Sequence, residues 1–359
     1  MYSNSINVLL SLIRKALLGI DVRLPSFINW QEVMRLASMH GLTAIAFDGL
    51  EGLASSSVDI MKGDMALTEI PKPIKLQWAA QSLRQESIFK HNWELACGLS
   101  ELWESHGIEA LVLKGRSIAQ FYPKPQHRYS CDLDVFIPGD DWKKACDVLE
   151  TQDIHLCQEV YKEVEFTYNG LYVECHRYIT PVRGNKTLLR FDKFLRSILE
   201  DFPIVYFEGT ALRCPPLLFI VLLFIEHAFG DLLHGRFSLK HITDWVVIRR
   251  QDYDSDLIAQ KCEEFGFDRF LNLLDTLSNV VEGTINVESL PVAYKKVFDS
   301  LCVSQSSENK SKSWFAKRVS LFFEIIENRY YYRNFGYCSM SNYLLNAVWS
   351  HYFDKKVIY

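Results

Sequence analysis

Long apolar runs are missing from this 359-residue chain. Its most apolar stretch, Leu217 to Ile225, is far shorter than the roughly 20 residues that a membrane span requires, so no membrane partner is expected. Cys-x-x-Cys pairs and histidine-rich partner patterns are also lacking, which excludes a zinc frame. The nine cysteines, an odd number scattered through apolar contexts, fit reduced thiols in a cytoplasmic protein. An excess of basic residues is missing as well. Lys and Arg total 39 against 44 Asp and Glu, for a net charge of -5, which argues against a broad nucleic-acid surface. The first residues hold a short apolar run, but at helical spacing and with basic residues after it, so they read as a first helix and not as a secretory signal. No internal repeat is visible.

What the sequence does contain is core-forming material. With 48% hydrophobic and 13% aromatic residues, the chain is long enough for two or three packed units. Its chemistry concentrates in residues 108–137, where two apolar runs, each read as a buried strand, bracket a polar segment. In the second run, a strand period of two puts Asp132 and Asp134 on one face and Leu133, Val135 and Ile137 on the other. Neighbouring carboxylates repel, and aspartate is disfavoured in strands. A divalent cation would offset that cost, and hard oxygen ligands suit Mg²⁺; the alternative is an edge strand with its polar face in water. In the first run, Leu111-Val112-Leu113 leads into Lys114-Gly115-Arg116 and then an apolar-patterned short helix. Gly115 would let the backbone approach a ligand, and the free N–H groups at the helix start, with Lys114 and Arg116, would face an anion.

Leu113-Lys114-Gly115, Tyr122-Pro123, Arg128 and Asp132-Leu133-Asp134 together resemble the uncharacterised nucleotidyltransferase group within the polymerase-beta-like superfamily. Lys114-Gly115 stands where the wider superfamily usually has Gly-Ser. The resemblance implies an α+β fold, with a small mixed sheet carrying the metal-binding carboxylates, and transfer of a nucleoside monophosphate group from a nucleoside triphosphate.

The next informative element is a hairpin. Val160 to Tyr168 and Leu171 to Arg177 flank Asn169-Gly170, the dipeptide favoured in a two-residue type I′ turn. The turn sets the register: Tyr168 opposite Leu171, Phe166 opposite Val173, Glu165 opposite Glu174 and Glu163 opposite His176. One face is then apolar and the other polar, which puts Glu174 on the same side of the sheet as Asp132 and Asp134. The resembled superfamily places a third metal ligand on such a strand, commonly as Asp-x-His, and here Glu174-Cys175-His176 stands in that place. His176 is expected to position a phosphate or Glu174.

Helices are expected to flank this core: Ile6 to Leu18, Trp30 to Met39 and a long amphipathic one from Pro73 to His106 before it, and a nearly all-helical chain after Pro215. The C-terminal helices carry His227, then Lys240 and Asp244 at an i, i+4 spacing. The resemblance makes these three candidates to close the cleft over nucleotide or acceptor; the plainer alternative is an interhelix ion pair. Trp314, Phe315, Phe322, Phe323, Tyr330 to Arg333 and Tyr343 to Tyr352 read as aromatic-rich helices, and Ser304 to Lys312 as a linker.

The chain is therefore read as a helical region over 1–95, a nucleotidyltransferase core over 96–210 and a second helical region over 211–359. Asp132, Asp134 and Glu174 are the expected catalytic and metal ligands for Mg²⁺ or Mn²⁺. Lys114, Gly115, Arg116, Arg128, His176, His227, Lys240 and Asp244 are the expected nucleotide-binding set. The acceptor is an unidentified hydroxyl of a small molecule or a protein. Two other classes stay open: a non-catalytic nucleotide-binding or interaction protein, and a protein-modifying member of a toxin and antitoxin pair.

Overall fold

The computed structural model describes residues 4–55, 70–139, 141–159, 163–182, 185–302 and 328–336. The expected linker at 304–312 and most of the C-terminal aromatic positions lie outside the described residues; Tyr330 to Arg333 fall within a helix, Arg329–Phe335.

The N-terminal part is helical: α1 (Asn4–Leu18), α2 (Trp30–Met39), α3 (Thr43–Ser55) and α4 (Lys72–Glu104). Asn29 caps α2 by accepting from the Glu32 N–H at 3.1 Å. The chain then enters the sheet with β1 (Ala110–Val112), passes a four-residue helix α5 (Arg116–Ala119) and a single 3-10 turn (Pro125–His127), and returns as β2 (Asp132–Phe136). Helix α6 (Asp141–Thr151) and strands β3 (Leu156–Glu159), β4 (Glu163–Tyr168) and β5 (Leu171–His176) follow. After α7 (Lys186–Asp201), the short strands β6 (Val205–Tyr206) and β7 (Leu212–Cys214) complete the sheet. Helices α8 (Leu217–Leu233), α9 (Leu239–Ile248), α10 (Ser255–Phe265), α11 (Asp268–Glu282) and α12 (Val292–Leu301) follow it. None of the described helices is long and apolar enough to cross a membrane.

The sheet has seven strands in the order β3-β4-β5-β2-β1-β7-β6 and is mixed: β2 runs parallel to β5, and β1 antiparallel to β2 but parallel to β7. The β4–β5 hairpin pairs as its turn chemistry dictates, Tyr168 with Leu171 through Glu163 with His176. Asn169 and Gly170 both take positive φ, at 49° and 96°, as a type I′ turn demands. Strands β3 and β7 and helix α3 carry no turn or period signal strong enough to be read from the sequence.

Alternation along the strands sorts side chains between two cores. Leu133, Val135, Val164, Phe166, Val173 and Cys175 pack with Trp103 of α4 and Leu149 of α6. Phe136, on the opposite face, joins the larger helical core with Phe191, Ile220 and Leu223. Asp132 and Asp134 share Phe136's face, by the same period of two, but nearer the start of the strand. The polar end of that face therefore opens where the N- and C-terminal helices leave a gap.

Candidate active site

That gap is a cavity of about 1080 Å³ walled by the sheet, α4, α8 and α9, with Asp132, Asp134, Glu174 and Lys114 in its lining. Parallel pairing of β2 with β5 sets Asp134 directly beside Glu174. Both carboxylates and the His176 imidazole offer one ligand atom each within 4.8 Å of one another.

Within this group the protons are unevenly held. Lys114 Nζ lies 2.8 Å from Asp134 Oδ1, and His176 Nε2 lies 3.0 Å from the same oxygen. Burial acts to raise the Asp134 pKa, but the Lys114 ammonium and the His176 bond outweigh it and hold the carboxyl well below its usual range. Glu174 goes the other way. Burial and the neighbouring Asp134 charge push it up to about 7. Its Oε2 is 3.6 Å from His176 Nε2, while His176 Nδ1 lies 2.8 Å from Glu163 Oε2. The imidazole is fully buried among carboxylates, although its register position lies on the polar face of the hairpin.

The donor chemistry fits a divalent cation. Two carboxylates and an imidazole are ligands such ions accept, and Glu174 is pushed up because burial and the adjacent Asp134 charge both oppose its ionisation. The compact group differs from the carboxylate trio read in the sequence: His176 belongs to it, and Asp132 lies outside it. Asp132 is one pleat closer to the strand's start, with Oδ1 3.3 Å from Ser130 Oγ, on the cavity wall.

Gly115 takes φ +53°, and a Cβ there would come within 2.8 Å of Ser130 Oγ. This turn lets β1 run into α5 while the backbone stays against the cavity. Lys114, carried on the same turn, keeps its charge because Asp134 more than offsets burial. Arg116 points elsewhere: its guanidinium lies 3.9 Å from the Phe89 ring centre and 4.0 Å from that of Trp93, both on α4. Cation–π attraction to two rings takes it to the aromatic face of that helix, and it does not line the cavity.

The cavity lining also includes the remaining expected residues. Arg128 is buried and grips Asp244 with both ends of its fork, Nε to Oδ1 at 3.1 Å and Nη2 to Oδ2 at 2.9 Å; Tyr122 O–H donates to the same Oδ1 at 2.7 Å. Asp244 is thus satisfied by the segment preceding β2. Lys240 lies on the cavity wall with its pKa lowered by burial and by the Arg128 charge. His227 reaches the cavity from α8, with Nε2 3.5 Å from Asp231 Oδ2, and its imidazole is pushed down chiefly by desolvation and then by the Lys114 charge.

Two residues of this wall, His241 and Asp231, were not read from the sequence. His241 accepts from the Ser238 N–H at Nδ1 and therefore donates from Nε2 to Asp231 Oδ2 at 3.0 Å. Arg236 Nε donates to Asp231 Oδ1 at 3.0 Å. Asp231 follows His227 by four positions on α8, and that spacing was the available signal.

A family model described as an uncharacterised nucleotidyltransferase matches residues 26–280, which run from the loop before α2 almost to the end of α11. No curated protein and no solved structure matches the chain.

Proposed function

The chain belongs to the uncharacterised nucleotidyltransferase family, and from that premise we propose that it moves a nucleoside monophosphate group from a nucleoside triphosphate to a hydroxyl acceptor. It works with Mg²⁺ or Mn²⁺ held by Asp134 and Glu174 together with Asp132 or His176. The observation that carries this reading is the group Asp134, Glu174 and His176 within 4.8 Å, of which Asp134 and Glu174 line a cavity of about 1080 Å³.

The acceptor oxygen attacks the α-phosphorus, the bond to the bridging oxygen breaks, and pyrophosphate leaves. A bound divalent cation supplies charge stabilisation on the phosphoryl oxygens and the leaving group. Lys114 and the Gly115 turn hold phosphate oxygens against the sheet. Lys114 reaches them by exchanging its contact with Asp134 for one with the substrate. Glu174, beside the cation it helps to hold, would accept the proton that the hydroxyl loses. Arg128 and Asp244 keep the helical wall in place, and Lys240 and His227 face the substrate from it.

The test is a panel of the four α-labelled nucleoside triphosphates with Mg²⁺ or Mn²⁺, incubated with the native chain and with Asp132→Ala/Asp134→Ala in the presence of a cell extract as the source of acceptors. Transfer of label to a protein or a small molecule by the native chain alone is the expected result. Equal labelling by both chains removes the assignment.

A further inference from the structure

Residues 122–128, Tyr-Pro-Lys-Pro-Gln-His-Arg, link α5 to the catalytic strand and have little regular backbone bonding of their own. Two prolines remove donors, and a single 3-10 turn (Pro125–His127) is the only regular structure. Side chains hold the segment instead, from opposite sides. On one side Arg128 and Tyr122 grip Asp244 of α9. On the other, His127 is buried between two carboxylates, with Nδ1 2.5 Å from Asp48 Oδ2 on α3 and Nε2 2.5 Å from Glu86 Oε1 on α4. Lys124 Nζ takes the second oxygen of Asp48 at 2.5 Å, and Gln85 Nε2 donates to the carbonyls of Gln126 and His127 at 3.3 and 2.8 Å.

An ionised carboxylate can only accept, so a ring flanked by two must donate from both nitrogens, and only the imidazolium does so. We propose that His127, as the imidazolium, is a positioning residue for the transfer site. By bridging Asp48 and Glu86 it anchors the 122–128 segment to the N-terminal helices, so that Arg128 keeps its seat on Asp244 in the cavity wall. Neighbouring residues 127 and 128 thereby tie the two helical regions to one point just ahead of β2. The effect on catalysis rests on the nucleotidyl-transfer reading, whereas the clamp itself rests on the contacts.

The charged groups facing His127 are Asp48 from α3, Glu86 from α4 and Lys124 from its own segment. Glu51, Lys72 and Lys75 line the same recess of about 560 Å³, where Lys75 pairs with Glu51 at 2.8 Å. Burial works against the His127 charge, but hydrogen bonds to Asp48 and Glu86 outweigh it and raise the pKa. The sign follows: the clamp is complete below the ordinary imidazole pKa and is lost as pH rises through the raised one. Asp48 is held low by His127 and Lys124 against the opposing effect of burial, so its share is lost only in strong acid, as pH falls through that lowered value.

The His127 and Arg128 amides, bonded to the Lys124 and Pro125 carbonyls, report the clamp directly. Hydrogen exchange on the full chain, corrected for intrinsic rates, should show their protection falling roughly tenfold between about pH 6 and about pH 9. In His127→Gln protection should be low and flat; in Glu86→Gln, which alters a half-exposed partner and serves if His127→Gln folds poorly, it should lie between that of His127→Gln and that of the native chain. In the transfer assay, kcat should track protection while KM for the triphosphate stays constant. The same exchange profile in native chain and variants, or a kcat indifferent to His127→Gln, overturns the proposal. If the native chain transfers no nucleotide at any pH, the transfer reading fails separately, and the exchange profiles still decide the clamp.

Discussion

Asp134 and Glu174 occupy paired positions on parallel strands, yet their carboxyls are displaced in opposite directions, Asp134 far down and Glu174 up to about 7. The asymmetry has one origin. Lys114 and His176 both contact Asp134, so the negative charge is placed there, and Glu174 has to ionise next to it.

Glu174 should therefore make the metal-free chain less stable as pH rises. A carboxyl raised in the folded state binds its proton more tightly there than in the unfolded chain. Stability falls from the ordinary glutamate pKa up through about 7. Glu174→Gln should remove this slope, raising stability at alkaline pH by on the order of 1 kcal/mol while abolishing transfer. Thermal melts without added metal, compared at acid and alkaline pH, would show no difference between the two chains if the geometry were wrong.

Adding Mn²⁺ should reverse that slope. A cation ligated by Glu174 competes with its proton, so binding releases protons below neutrality and tightens as pH rises. Calorimetric titrations in two buffers of different ionisation enthalpy measure the proton count; a count of zero near pH 6 would exclude Glu174 as a ligand.

Asp134→Asn should lower transfer by ~10²-fold or more, because the metal-held charge stabilisation is worth several kcal/mol. The same variant removes the negative charge 2.8 Å from buried Lys114, so circular dichroism must accompany the rates. A folded variant with full activity would remove Asp134 from the chemistry.

Arg128→Ala should cost about 3–5 kcal/mol of unfolding free energy, since it strands Asp244 as a buried, uncompensated charge. Arg128→Lys should recover only part of it, because an ammonium cannot bridge both carboxylate oxygens. Urea titrations in which Arg128→Ala unfolds with the native midpoint would contradict the bidentate contact.

Arg116→Lys should leave triphosphate affinity within about twofold and lower stability by about 0.5–2 kcal/mol, the worth of a desolvated cation–π contact. Binding measured by fluorescence polarisation separates the two roles. A tenfold loss of affinity with unchanged stability would put Arg116 back among the phosphate ligands.

The contrast between Arg116 and the hairpin shows how far the chain could be read by itself. Asn169-Gly170 sets a register through a turn of two residues, and the strand period carries it to Glu174 and His176 with no help from distant parts of the chain. Asp132 and Asp134 were legible for the same reason, as was the capped helix from Trp30 to Met39. Arg116 was misdirected because its neighbours in sequence are a phosphate-like turn, whereas its neighbours in space are Phe89 and Trp93, more than twenty positions earlier on α4. The choice of Arg128 by Asp244, where Lys240 is the partner nearer in sequence, escaped notice on the same grounds, as did the convergence of His241 and Arg236 on Asp231.

What the amino-acid order determined alone is what short-range sterics and periodicity control: strand faces, the hairpin register and the presence of two carboxylates on one side of β2. Only the tertiary structure decided which cations those carboxylates meet, that His176 and not Asp132 completes the tightest donor group, and that His127 and Arg128 pull in opposite directions. Those outcomes depend on which helix packs over which end of the sheet, and charge pairing in a buried site follows proximity in space, which local pattern does not encode.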